Sequence, residues 1–249
     1  MKNQTGVLLA RLMRNIMRSP DTIITVAITP IMMMLLFVYV FGGAIKAGTG
    51  SYVNYLLPGI LLMAIASGVA YTSLRLFNDV KGGLMARFIT MPIKRSSILW
   101  AHVLTSLVSN ALTVLVVFLV ALLMGFRSNA DLLSWLAVAG ILGLFTLALT
   151  WLAVIPGLTA NSMEGATTYS YPLIFLPFIS SAFVPTETMP RIVRAFAENQ
   201  PVTSIVNAIR ALLYNGAVGS DIWIALAWCV GIMILSYIIA SKQFKRQLG

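Results

Sequence analysis

Five stretches of this chain run apolar for about twenty residues or more with few charges, and their length limits what the chain can fold into. They span roughly residues 22–43, 55–77, 98–126, 132–158 and 222–241. A helix rises ~1.5 Å per residue, so ~20 apolar residues cross a ~30 Å hydrocarbon core. In lipid every backbone polar group must be paired internally, which a helix achieves alone. A sixth run, 166–184, is shorter and holds Pro172 and Pro177. Proline removes a helix donor, and the carbonyl it leaves needs another partner, so this span is expected to be kinked and packed against protein. The predicted fold is all-α and integral to the membrane, with six transmembrane helices in one domain over 1–249. Composition agrees: 59% of residues are hydrophobic and 10% charged, whereas a soluble domain is roughly a quarter charged.

The net charge of +10 does not point to nucleic acid. A nucleic-acid binder gathers its basic residues on a wet face, and here they sit in short segments between apolar runs. Lys2, Arg11, Arg14 and Arg18 precede the first run. Arg75, Lys81, Arg87, Lys94 and Arg95 cluster at the second-to-third connection, and Lys242, Lys245 and Arg246 follow the last run. These carry 12 of the 17 basic residues. Basic residues favour the cytoplasmic side, which places both termini there. The first apolar run is too long for a signal core and lies behind a basic segment, so no cleavable signal peptide is expected. Cys229 stands alone in an apolar run and reads as a small buried hydrophobe.

Three connections carry more pattern than a loop needs. Residues 5–18 place Leu9, Leu12, Met13, Ile16 and Met17 at helical spacing, with Arg11, Arg14 and Arg18 on another side. This is an amphipathic helix suited to the membrane interface. The cytoplasmic segment 78–97 holds a short helix with an apolar stripe of Leu84, Met85, Phe88 and Ile89, preceded by Gly82 and Gly83 and ended by Pro92. An exposed aromatic stripe calls for a partner, here a protein more than the membrane surface. The outer segment 185–217 contains two semi-apolar helical patterns, one with Ile192, Val193 and Phe196, the other with Ile205, Ile209, Leu212 and Leu213. Both are too short to span, so re-entrant or interfacial helices fit them.

Catalytic chemistry is missing. There is no GxxxxGK[ST] phosphate loop, no metal-ligand spacing and no acid–base constellation, so the chain is expected to hold no cofactor and to be no enzyme. His102, the single histidine, reads as an interhelical hydrogen-bonding residue. No acid lies deep in a span, which argues against an ion-coupled carrier. Hydroxyl and aromatic groups inside the spans are the remaining candidates. They are Ser67, Tyr71 and Thr72 in the second run and Thr168, Tyr169, Tyr171 and Phe175 in the fifth. They serve either ordinary helix packing or a pathway for an amphipathic, partly aromatic compound.

The sequence also resembles a known family. The relevant pieces are Arg18–Ser19–Pro20–Asp21, Phe37–Val38–Tyr39–Val40–Phe41–Gly42–Gly43, Tyr55–Leu56–Leu57–Pro58–Gly59–Ile60, and Asp79 with Gly83, Arg87, Phe88, Met91 and Pro92. The outer pieces Ser180–Ser181–Ala182–Phe183–Val184–Pro185, Ala195–Phe196–Ala197–Glu198–Asn199–Gln200–Pro201 and Arg210–Ala211–Leu212–Leu213 are the most specific. In this order among six spans they resemble the type-2 ABC transporter permeases, in particular the daunorubicin-resistance branch. The resemblance implies an exporter of amphipathic drugs or antibiotics in a bacterial or archaeal cell membrane. Lipids and glycan precursors are the alternative cargo, and a secondary carrier is the more distant one. It implies two permease chains, expected to be identical, and two copies of a separate ATPase that hold the ATP and Mg. It also implies an ATPase-coupling set of Leu84, Met85, Arg87, Phe88, Ile89, Met91, Pro92, Lys94 and Arg95. Family members usually carry an acid just before the coupling arginine, and this chain has Ala86 there.

Overall fold

The computed structural model describes residues 4–18, 20–42, 52–83, 95–214, 216 and 219–248, and among them all regular structure is helical. Helix α1 covers Gln4–Arg18, and α2 covers Pro20–Leu35 and continues as a wider π-helical stretch, Leu36–Phe41. Then come α3 (Tyr52–Lys81), α4 (Arg95–Leu123) and α5 (Leu132–Thr159). Two short helices follow, α6 (Met163–Thr168) and α7 (Ser170–Phe175), with a 3₁₀ turn at Leu176–Ile179. The chain ends in α8 (Arg191–Glu198), α9 (Pro201–Leu213) and α10 (Asp221–Leu248).

Among the described residues five helices are long and apolar enough to cross a bilayer: Asp21–Phe41, Tyr52–Lys81, Ser97–Leu123, Leu132–Thr159 and Asp221–Arg246. They match the five long runs of the sequence, and the chain is a multi-pass membrane protein. Local chemistry sets several ends. Asp131 caps α5 by accepting from the Ser134 amide at 3.0 Å, and Ser162 caps α6 through the Gly165 amide at 3.1 Å. Gly83 and Gly125 take positive φ, 72° and 95°, just past the ends of α3 and α4, where a side chain would be strained.

The sixth run does not form one continuous helix. Its prolines divide it into α6, α7 and the 3₁₀ turn, and the side-chain amide of Gln200 donates to the carbonyls of Leu176 and Ile179. These carbonyls belong to the last turn of the helical segment, which ends at Ile179, so no later helical N–H reaches them and a side-chain donor takes that place. The broken segment nevertheless runs antiparallel to α3. The Tyr169 hydroxyl donates to the Val69 carbonyl, while the Tyr55 and Tyr52 hydroxyls donate to Ser181 and Phe183 at 2.9 and 2.8 Å.

Helix α3 is the centre, packing against α2, α4, α5, α6 and α7. Helix α10 lies against α5 and α9. The amphipathic α1 turns Leu8 and Leu12 towards Ile98 and Ala101 of α4, so this apolar face is covered by protein. In the 185–217 segment the two patterns become α8 and α9. Helix α9 is largely buried, whereas Ile192 and Phe196 of α8 remain exposed.

Candidate functional site

The α3 face turned towards α2 and the broken segment forms one wall of a groove of about 540 Å³. Met63, Ser67, Ala70, Tyr71 and Leu74 stand on that wall. Their spacing of three and four residues puts them on one side of a helix. Helix α2 contributes Thr25, Thr29 and Met33, and the opposite wall carries Tyr171, Phe175 and Phe178. Among the described residues no charged side chain lines the groove. The Ser67, Thr25 and Ser170 hydroxyls each donate to a carbonyl of their own helix or turn, so the walls present chiefly carbon and aromatic rings. The volume falls within the ~300–1,000 Å³ usual for small-molecule pockets.

Four of the seven residues singled out for a pathway, Ser67, Tyr71, Tyr171 and Phe175, come together here. The other three lie elsewhere. Thr72 is fully buried on another side of α3 and donates to Ser106 at 2.8 Å. Tyr169 packs against the core with its hydroxyl on the Val69 carbonyl. Thr168 is exposed and bonded back to the Glu164 carbonyl at 2.6 Å. Adjacent positions on a helix lie ~100° apart, so a cluster of neighbouring hydroxyls cannot all face one groove. The contribution of α2 was not anticipated, although Thr25, Thr29 and Met33 recur every four residues.

Thr72 belongs to a buried polar seam joining α3, α4 and α5. Ser106 lies 3.0 Å from the Thr150 hydroxyl, and the Asn110 amide donates to the Ser106 carbonyl at 2.9 Å. Arg75 donates to the Tyr71 carbonyl and to Thr72. One turn further along, His102 Nε2 lies 3.3 Å from Asp79 Oδ2. His102 thus acts between helices, as its position in the sequence suggests.

At the other end of α3 a second polar cluster ties the 180–214 segment down. The Arg210 guanidinium lies 3.8 Å from the centre of the Tyr55 ring and donates to the Tyr55 and Ser181 carbonyls at 3.1 and 3.0 Å. Burial lowers its pKa below the usual arginine value. The Tyr214 hydroxyl donates to the Asn54 carbonyl at 3.2 Å, and burial raises its pKa to about 12 against the opposing pull of Arg210. Arg194 and Glu198 pair at 2.7 Å on the exposed α8, which lowers the carboxyl pKa.

Leu84, Met85, Arg87, Phe88, Ile89, Met91, Pro92 and Lys94 lie outside the described residues. Arg95 opens α4. Among the described residues no group of His, Cys, Asp and Glu is placed to hold a metal.

Comparison with known proteins adds to this geometry. The profile of the ABC-2 type transporter family matches residues 3–214. The daunorubicin resistance ABC transporter permease protein DrrB1 of Streptomyces coeruleorubidus is 28% identical over 232 residues, covering 92% of this chain and 81% of that protein. The probable doxorubicin resistance ABC transporter permease protein DrrC of Mycobacterium tuberculosis is 27% identical over 247 residues, covering 98% and 87%. A putative transport permease, ycf38, of Porphyra purpurea is 26% identical over 216 residues, covering 84% and 73%.

Proposed function

Because this chain belongs to the ABC-2 type transporter family, we propose that it is the permease subunit of an ATP-driven exporter of amphipathic drugs or antibiotics. The observation that carries this reading is the groove between α2, α3 and the broken α6–α7 segment. It is drug-sized, aromatic and hydroxyl-bearing, with no charged side chain among the described residues, which suits a planar lipophilic cargo better than an ion or a phosphate. The relatives named for daunorubicin and doxorubicin resistance support the same class of cargo.

The proposed topology has six crossings, with the broken segment beside α3 as the fifth and both termini cytoplasmic. The energy comes from a separate ATPase present in two copies, which holds ATP and Mg, and this chain supplies no cofactor of its own. Leu84–Ile89 and Pro92–Arg95 seat in the ATPase and carry its movement to α3 and α4. A second, identical permease completes the groove, where Tyr171 and Phe175 are each about 60% exposed.

The test is reconstitution with the ATPase and a fluorescent anthracycline. Ser67→Phe, which fills the groove, is expected to cut export roughly tenfold while ATP hydrolysis persists. Phe88→Asp puts a charge into the apolar coupling contact and is expected to abolish both export and the stimulation of hydrolysis by cargo. Undiminished export in Ser67→Phe overturns the groove as pathway, and export without any ATPase overturns the exporter reading.

A further inference from the structure

A second trough, about 340 Å³, lies against the other face of α3, between α4 and α5. Leu61 and Ile65 form its floor, whereas Met63 and Ser67 face the first groove. The trough runs from Trp135 to Thr146 along α5, which is ~16 Å at helical rise. That is close to the depth of one leaflet, half of a ~30 Å core.

Helices with small faces normally approach closely in a membrane, and here they are held apart. Ala111 of α4 and Ala139 and Gly143 of α5 line the gap. At one end Trp135 meets Phe118 edge-on at 5.3 Å, with Phe126 5.7 Å from Phe118 and 6.4 Å from Trp135. At the other end Ser106 and Thr150 join the helices at 3.0 Å. A Cβ built on Gly143 would meet nothing within 4 Å. An apolar void forfeits the dispersion contacts of its lining, and the solvent beside this void is hydrocarbon.

The aromatic end is also where charge appears. Arg127 follows Phe126 and is exposed, and its guanidinium donates to the Phe126 carbonyl at 2.9 Å. It forms no ion pair among the described residues. The nearby Asp131 carboxylate is engaged in capping α5. Tryptophan favours the headgroup level of a bilayer, and a guanidinium matches phosphate geometry.

We propose that this trough binds one acyl chain of an anionic glycerophospholipid whose phosphate rests against Arg127. The chain fills the space left by Ala111, Ala139 and Gly143, and Trp135 marks the ester level. The site stands apart from the transport groove and does not depend on the cargo or on the ATPase.

The test uses the full chain purified in mild detergent from vesicles of equal phosphatidylglycerol and phosphatidylcholine, with bound lipid read by native mass spectrometry. The wild type is expected to retain phosphatidylglycerol in preference. Gly143→Leu, whose Cβ meets nothing within 4 Å, sends its side chain into the trough and is expected to lower retention roughly tenfold with the thermal midpoint unchanged. Arg127→Gln is expected to keep a bound lipid and lose the headgroup preference. A diazirine-bearing phosphatidylglycerol should label peptides from residues 107–118 or 135–146. Equal retention by wild type and Gly143→Leu, or labelling confined to other helices, overturns the proposal. Chain-to-chain cross-linking of Gly143→Cys in a Cys229→Ser background also overturns it, by placing a second copy in the trough.

Discussion

Helices α3 and α10 are both apolar and long enough to span, yet they occupy opposite environments. The most apolar window of α3 has a mean hydropathy of 1.8 and is 78% buried inside the protein, while that of α10 has 2.4 and is 17% buried. In water the more apolar helix would be the inner one. In a bilayer the tails are as apolar as leucine, so hydrophobicity does not select the inner helix. Close packing and the pairing of polar groups select it instead. Helix α3 carries Asn54, Thr72, Ser73, Arg75 and Asp79 and is wrapped by protein that bonds several of them. Helix α10 exposes Trp223, Ile234 and Leu235 on its outer side.

Several substitutions, made in pairs where both helices offer a site, break or sharpen this contrast. The largest effect is expected from glycine. A Cβ at Gly59 would lie 2.5 Å from the Ala182 Cβ, whereas at Gly231 it meets nothing. Gly59→Leu should therefore destabilise by roughly 3 kcal/mol, and Gly231→Leu by less than about 0.5 kcal/mol. Thermal unfolding in detergent measures both, and equal losses would break the contrast.

Next comes charge. Removing Arg210 leaves the Tyr55 and Ser181 carbonyls without a charged donor. Arg210→Ala should cost about 2 kcal/mol, while Lys245→Ala on the exposed end of α10 should stay within about 0.5 kcal/mol. The same unfolding assay applies.

A smaller effect is expected in the polar seam. Thr72→Val removes the bond to Ser106 and should destabilise by about 1 kcal/mol. The Thr72→Val, Ser106→Ala double variant should lose less than the sum of the single variants. Full additivity would mean that the seam does not act as a unit.

The smallest effect concerns alkaline pH. The Tyr214 pKa is raised from 10.0 to about 12 in the folded chain. Its stabilisation is fully present below pH 10 and is lost as pH rises through the folded value. Tyr214→Phe should flatten that loss between pH 10 and 12 in an alkaline unfolding series. An unchanged slope would show that the hydroxyl is not buried as described.

The sequence showed the five long helices to within a few residues, because twenty apolar residues have one solution in lipid. The amphipathic pattern of 5–18 was legible for the same kind of reason, although its cover proved to include Ile98 and Ala101 of α4. The groove was half legible. Hydroxyl and aromatic residues in the second and fifth runs marked the region, but not which side of each helix they face. That is why Thr72 and Tyr169 read like Ser67 and Tyr71. The α2 wall was missed because Thr25 and Thr29 are unremarkable in an apolar run until α3 is placed beside them.

The chain alone determined that it lives in a membrane, roughly how long its apolar helices are, where they stop, and which family it resembles. The lengths and ends follow from helical rise, proline and glycine chemistry and the thickness of hydrocarbon, and they need no partner helix; the family likeness rests on matching residues in order along the chain. Tertiary structure alone decided which helix is central, which hydroxyls meet one another, and where grooves open. Neighbouring helices and lipid tails offer an apolar residue nearly the same environment, so only the close fit of one helix against another distinguishes them.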